Sequence, residues 1–189
     1  MLLSKRLISC VVSVLALAAC SAGPEQPLDE AEILTRAERL VTPEPGLYRT
    51  TTSLGAFEMP GASEQEAARV RAQLGFAEPQ EAQRCLSRRE AVRGFLPLIE
   101  AMKDGNCTFS RFETSEDRLD ASMRCEADGG TTSDVALRGE AGRQSSRLET
   151  RVVQRSAALP GGELQFTLAV ETQRFGECPQ TGGEGEPGT

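Results

Sequence analysis

Leu164-Gln165-Phe166-Thr167-Leu168-Ala169-Val170-Glu171 alternates apolar and polar side chains at every step, and this period of two decides the fold. Successive side chains of a strand point to opposite faces, so Leu164, Phe166, Leu168 and Val170 share one face. Gln165, Thr167, Ala169, Glu171 and, further on, Gln173 make the polar face. The same period governs the chain from Asn106 onward. Cys107, Phe109 and Arg111 alternate first, then Leu119, Ala121, Met123 and Cys125, then Ser133, Val135 and Leu137, then Leu148, Thr150 and Val152. Turn signals separate the runs: Ser115-Glu116-Asp117, Asp128-Gly129-Gly130, Gly139-Glu140-Ala141-Gly142 and Pro160-Gly161-Gly162. Strands joined by short turns form an antiparallel meander with one apolar face.

Upstream the period lengthens. Leu47 to Leu54, rich in threonine, reads as a first strand after the break at Thr42-Pro43-Glu44-Pro45-Gly46. Ser63 with Glu66 makes a capping box, Ala67, Val70 and Leu74 share a helical face, and Gly75 supplies the stop. Ser87 with Glu90 repeats the box ahead of Val92, Phe95, Leu96, Ile99 and Met102, a segment that Pro97 kinks or splits. Asp29 caps a shorter helix in which Ile33, Ala37, Leu40 and Val41 fall on one side. The expected fold is α+β and mainly β: a curved antiparallel meander sheet of about six strands, an open or partly closed barrel. The helical segments are inserted between the first and second strands, and the first strand pairs with the last if the sheet closes.

The N-terminus gives an address. Lys5 and Arg6 precede an apolar run from Leu7 to Leu17, too short for a stable membrane-spanning helix of about 20 residues. Leu17-Ala18-Ala19-Cys20 resembles the lipobox of a bacterial lipoprotein precursor, in which the cysteine thiol takes a diacylglyceryl group and cleavage precedes it. The resemblance implies an acyl anchor at Cys20, with more than one chain for stable binding. Ser21, in place of the aspartate associated with inner-membrane retention in enteric bacteria, points to the outer membrane and the periplasmic side. The divisions expected are a lipoprotein signal peptide at 1–19, an acylated N-terminus and helical tether at 20–45, a β-rich domain at 46–178, and a disordered Gly/Glu/Pro tail at 179–189.

About 170 residues remain after such cleavage, enough for one core. Losing Lys5 and Arg6 takes the net charge from −7 to −9. Such a domain has no electrostatic reason to bind nucleic acid or an anionic surface.

Cys10 leaves with the signal and Cys20 is the anchor, so Cys85, Cys107, Cys125 and Cys178 remain for an oxidising compartment, where an even number reads as two disulfides. Three pairings are open. Cys85–Cys107 with Cys125–Cys178 is preferred here, since the first closes a local helical segment and the second ties the last strand to an inner one. A zinc site is disfavoured, because no pair has C-x-x-C spacing and the chain contains no histidine.

Pro45-Gly46-Leu47-Tyr48 at the first strand, Cys85-Leu86-Ser87, Asn106-Cys107-Thr108 and the closing Gly176-Glu177-Cys178 form a further pattern. Over roughly 44–178 it resembles the family of small proteobacterial periplasmic proteins called domain of unknown function 3617. The tryptophan common after Pro-Gly-Leu is Tyr48 here, and the methionine-rich loop is reduced to Met59-Pro60-Gly61. The resemblance implies a secreted, disulfide-bonded, β-rich domain and carries no activity with it.

Without histidine the commonest general base and the Ser-His-Asp and Cys-His arrangements are missing. Glu113, Glu116, Asp117 and Asp120 cluster in sequence, but across a turn, where charges are expected simply because turns are wet. Neither these acids nor Asp128 and Asp134 show the ligand alternation of a calcium loop. Gly129-Gly130 and Gly161-Gly162 serve turns and cradle no phosphate. No catalytic, cofactor-binding or metal residue is assigned, and no enzyme activity is expected. The expected function is a non-catalytic, membrane-anchored binding module for an apolar ligand or an envelope partner. The alternative is a structural or interaction module with a filled core and no ligand.

Overall fold

The computed structural model describes residues 27–76, 78–104 and 106–179. The signal segment, Cys10, the anchor at Cys20 and the tail from residue 180 lie outside the described residues.

The elements run α1 (Glu30–Ala37), β1 (Gly46–Glu58), α2 (Glu64–Gln73), β2 (Gln80–Leu86), α3 (Arg88–Arg93), α4 (Leu96–Asp104), β3 (Cys107–Thr114), β4 (Arg118–Ala127), β5 (Thr131–Ala141), β6 (Ser145–Arg155) and β7 (Glu163–Gly176). All seven strands form one antiparallel sheet in the order β2-β1-β7-β6-β5-β4-β3. The meander from β3 to β7 is the one written by the period of two.

Two expectations are corrected, the strand count and the placing of the helices, and of the two forms expected for the sheet the open one is found. The sheet has seven strands rather than about six, because Gln80–Leu86 is a strand inside the stretch read as helical. Its side chains are exposed on both faces except at Leu86, so no apolar alternation marks it; it forms because β1 offers a free backbone edge. The helices are accordingly divided, α2 lying between β1 and β2, and α3 and α4 between β2 and β3. The first and last strands do pair, from Leu47–Gly176 to Glu58–Gln165, yet the sheet is not closed, since β2 adds beyond β1 and β3 stands at the far edge.

Smaller departures have local causes. A register shift between Phe109 and Arg111 inserts Ser110 as an extra residue, so that Phe112, not Arg111, returns to the apolar face. β5 runs on to Ala141, leaving Gly142 and the two residues after it as the turn that Gly139–Gly142 suggested. Both capping boxes form as read, at Ser63/Glu66 and Ser87/Glu90. Gly94 ends α3, and Pro97 sits in the first turn of α4, where a missing N–H costs nothing. Val92 is 80% exposed and takes no part in the apolar stripe.

The core lies against one half of one face. Ile33 and Ala37 of α1 and Ile99 of α4 pack on Phe109, Phe112, Ala121, Met123 and Leu137 of β3, β4 and β5. Phe112 is 1% exposed and meets Phe109 edge-to-face at 5.4 Å. The segment before and after α1 also seals the β3 edge. The Leu28 N–H donates to the Phe109 carbonyl at 2.9 Å, Arg36 donates to the Phe112 carbonyl at 2.7 Å, and the Val41 N–H donates to the Glu116 carbonyl at 2.7 Å. The chain then crosses the end of the sheet as a strap, the Glu44 N–H donating to the Arg143 carbonyl at 2.7 Å in the β5–β6 turn. At the opposite end the turn at Gly61 lies against the β6–β7 turn, where Gly161 has φ +71° and a Cβ would strike the Pro60 carbonyl.

Candidate functional site

The cysteines close two bridges, Cys85–Cys178 and Cys107–Cys125. The preferred pairing of Cys85 with Cys107 and Cys125 with Cys178 is thus overturned, and the register gives the reason. Cys107 and Cys125 stand directly opposite one another on β3 and β4, with Cα atoms 4.0 Å apart. Cys85 on β2 and Gly176 on β7 both flank Leu47 of β1, so Cys178 reaches Cys85 over the start of β1. Each half of the sheet has its own staple. Cys20 lies outside the described residues.

Of the acidic cluster, Glu113, Asp117 and Asp120 form ion pairs on the solvent side. Glu113 accepts from Arg111 at 2.7 Å, which holds its carboxyl below the usual range. Asp120 lies between Arg111 at 3.7 Å and Arg138 at 3.9 Å, and Asp117 meets Arg118 at 4.0 Å. Asp134 pairs with Arg155 at 2.6 Å and with Arg124 at 3.8 Å, while Asp128 sits in the short turn Asp128–Gly130. This face is a checkerboard of alternating charge. Among the described residues no group of three or more His, Cys, Asp or Glu side chains is placed to hold a metal ion. No described helix is long and apolar enough to cross a membrane.

A different place collects apolar surface, polar groups and space. The face that carries the core continues from β5 across β6, β7, β1 and β2, but α1 and α4 pack only at its β3 side. Tyr48, Thr50 and Thr172 point into this uncovered half with Arg84 and Leu86 from β2. Above them stands the α3–α4 junction, with Glu90, Arg93, Phe95 and Pro97. Between junction, sheet and strap lies a cleft of about 450 Å³. That volume is within the range of small-molecule sites.

The cleft's polar groups are positioned by neighbours. The Tyr48 hydroxyl donates to the Glu44 carbonyl at 2.6 Å, and burial pushes its phenol up. Glu44 in turn accepts from Gln144 at 2.8 Å and Arg143 at 2.9 Å, hydrogen bonds that hold its carboxyl below the usual range. Glu90 is held by the Ser87 hydroxyl at 2.6 Å and backbone N–H at 2.8 Å, which lower its carboxyl too. Arg93 pairs with Glu100 at 2.7 Å. The side chain of Arg84 makes no ion pair and no hydrogen bond among the described residues; Glu90 feels it only through space. Of its lining, the sequence names Leu86, Glu90, Phe95 and Pro97 through a motif, a cap, an apolar stripe and a kink, without bringing them together as a site. Arg84 and Leu86 belong to the strand that periodicity missed, and Tyr48 was noted only as a departure from a motif.

Fold and staples together define a small antiparallel β-domain with two disulfides and a half-covered sheet face. The family model described as protein of unknown function (DUF3617) matches residues 43–178, and the chain belongs to that family. No curated protein and no solved structure matches the chain.

Proposed function

We propose that the protein is a periplasm-facing lipoprotein, anchored through Cys20, whose uncovered sheet half is a non-catalytic binding site for an apolar ligand or an envelope partner. The observation that carries the binding reading is the asymmetry of the sheet: one half is sealed by α1 and α4, while the other leaves a cleft of about 450 Å³ at the α3–α4 junction. Binding sites are concave and join apolar surface to fixed polar groups, and this cleft sets Leu86, Phe95 and Pro97 among Tyr48, Thr50, Thr172, Arg84 and Glu90. The anchor reading is supported by the sequence Leu17-Ala18-Ala19-Cys20 and by two disulfides, which persist in oxidising compartments. An outer-membrane position rests on Ser21.

Native mass spectrometry of the protein extracted from membranes in mild detergent tests both parts. The expected spectrum has a chain beginning at Cys20, increased by a diacylglyceryl group, with a releasable apolar species bound. A chain that keeps residues 1–19 and lacks the lipid would contradict the anchor. A correctly processed chain that binds no apolar species would instead favour the filled structural module.

A further inference from the structure

The proposal here rests on the reading of the cleft as a ligand site and names the ligand's class. We infer that the cleft takes a single-chain amphiphile with an anionic head, the head against Arg84 and the chain along the inner face of β1 and β7. The register orders these side chains as a gradient. Tyr48 lies between Arg84 and Arg174, the next inward row is Thr50–Thr172, then Thr52–Val170, then Leu54–Leu168. The rows pass from cationic through hydroxyl to fully apolar, as an anionic amphiphile does along its own length. The cleft's own lining ends at Thr50 and Thr172, and the two further rows continue from it as half-buried sheet face, so that from Tyr48 to Leu54 the strand advances about 20 Å at its usual rise, the reach of a long acyl chain.

Charge selects the head group. Arg174 is committed to the Pro45 carbonyl at 2.9 Å and to Glu177, and Arg93 to Glu100. Arg84 alone of the three has no ion-paired or hydrogen-bonded side-chain partner among the described residues, Glu90 acting on it only through space, and its planar guanidinium suits a carboxylate or phosphate head. The lining carries Arg84 and Arg93 beside Glu90, a local excess of positive charge in a chain of net charge −7. An anionic head gains the Arg84 contact there, which a cationic or neutral head does not.

The test uses the full chain carrying Cys20→Ala, so that no acyl group of its own competes, with calorimetric titration by oleate and by uncharged oleyl alcohol below their aggregation thresholds. Oleate is expected to bind about tenfold or more tightly than the alcohol, the value of one charge-assisted contact. Arg84→Gln is expected to bring oleate down to the alcohol's affinity and to leave the alcohol unchanged, while Arg84→Lys keeps part of the preference. Arg84 is on an exposed edge strand, and an unchanged circular dichroism spectrum would verify that the variant is folded. Equal binding of the two ligands, or oleate binding indifferent to Arg84→Gln, would overturn the anionic-head assignment while leaving the apolar site standing. Binding of neither ligand would overturn both.

Discussion

The β3–β4–β5 half of the sheet and the β1–β7–β6 strands of the other half both alternate their side chains but have different fates. The first is covered by α1 and α4 and laced along its edge by the segment around Leu28, Arg36 and Val41. The second has equally apolar residues at Leu54, Leu168, Val170 and Phe166, yet these stay half-buried beside a cleft. Sealing one half supplies stability, and that leaves the other half available for binding. The two staples follow the same division: Cys107–Cys125 lies within the sealed half, and Cys85–Cys178 fastens the edge of the other.

Breaking each half's staple gives the largest expected contrast. By the chain-entropy relation, Cys85→Ala with Cys178→Ala, which opens a loop of separation 93, is expected to cost about 4–5 kcal/mol. Cys107→Ala with Cys125→Ala, at separation 18, is expected to cost about 3 kcal/mol, both read from urea midpoints. The order would reverse if the sealed half alone nucleated all of the stability.

Cavities sharpen the contrast next. Phe112→Ala should cost about 3–5 kcal/mol, because Phe112 is 1% exposed within the core cluster. Leu168→Ala, in the uncovered half, should cost less than about 2 kcal/mol, since part of its surface is already in water. Equal costs would mean that the second half is sealed too. A smaller effect attaches to the caps: Ser63→Ala should cost about 1 kcal/mol of local helix stability and shift the global midpoint hardly at all, because α2 buries no residue.

Titration of the strap and cleft gives the smallest effects, opposite in sign. Glu44 has a lowered folded pKa, so its contribution is present above its unfolded value near the usual 4.5 and is lost as pH falls through the folded one. Tyr48 has a raised folded pKa, so its contribution is whole below the usual 10 and fades as pH rises beyond it. Tyr48 is the only tyrosine in a chain without tryptophan, so ultraviolet titration reads it directly. A phenol midpoint at or below 10 would place Tyr48 in water and remove a wall of the cleft.

Most of the sealed half was written plainly in the residues. Its strands are covered on one face only, so Ala121, Met123 and Leu137 had to alternate with charge, and α1 and α4 had to show matching stripes at Ile33, Ala37 and Ile99. The uncovered half was read less well for the same reason inverted. β2 buries almost nothing, so Gln80-Glu81-Ala82-Gln83-Arg84 has no pattern, and its strand state comes from backbone bonds to β1 that leave no mark on side-chain choice. The disulfide pairing went unread because it depends on register: without β2 in place, Cys85 and Cys178 have no visible reason to meet. The cleft went unread with it, as Arg84 and Leu86 are its wall.

The most direct measurement is amide chemical-shift mapping of the labelled full chain carrying Cys20→Ala as oleate is added. The expected result is a set of perturbations on β1, β2, β7 and the α3–α4 junction, with the amides of β3, β4 and β5 unmoved. Perturbations centred on the Phe109–Phe112 core, or spread evenly across both halves, would contradict the division of the sheet on which the account depends.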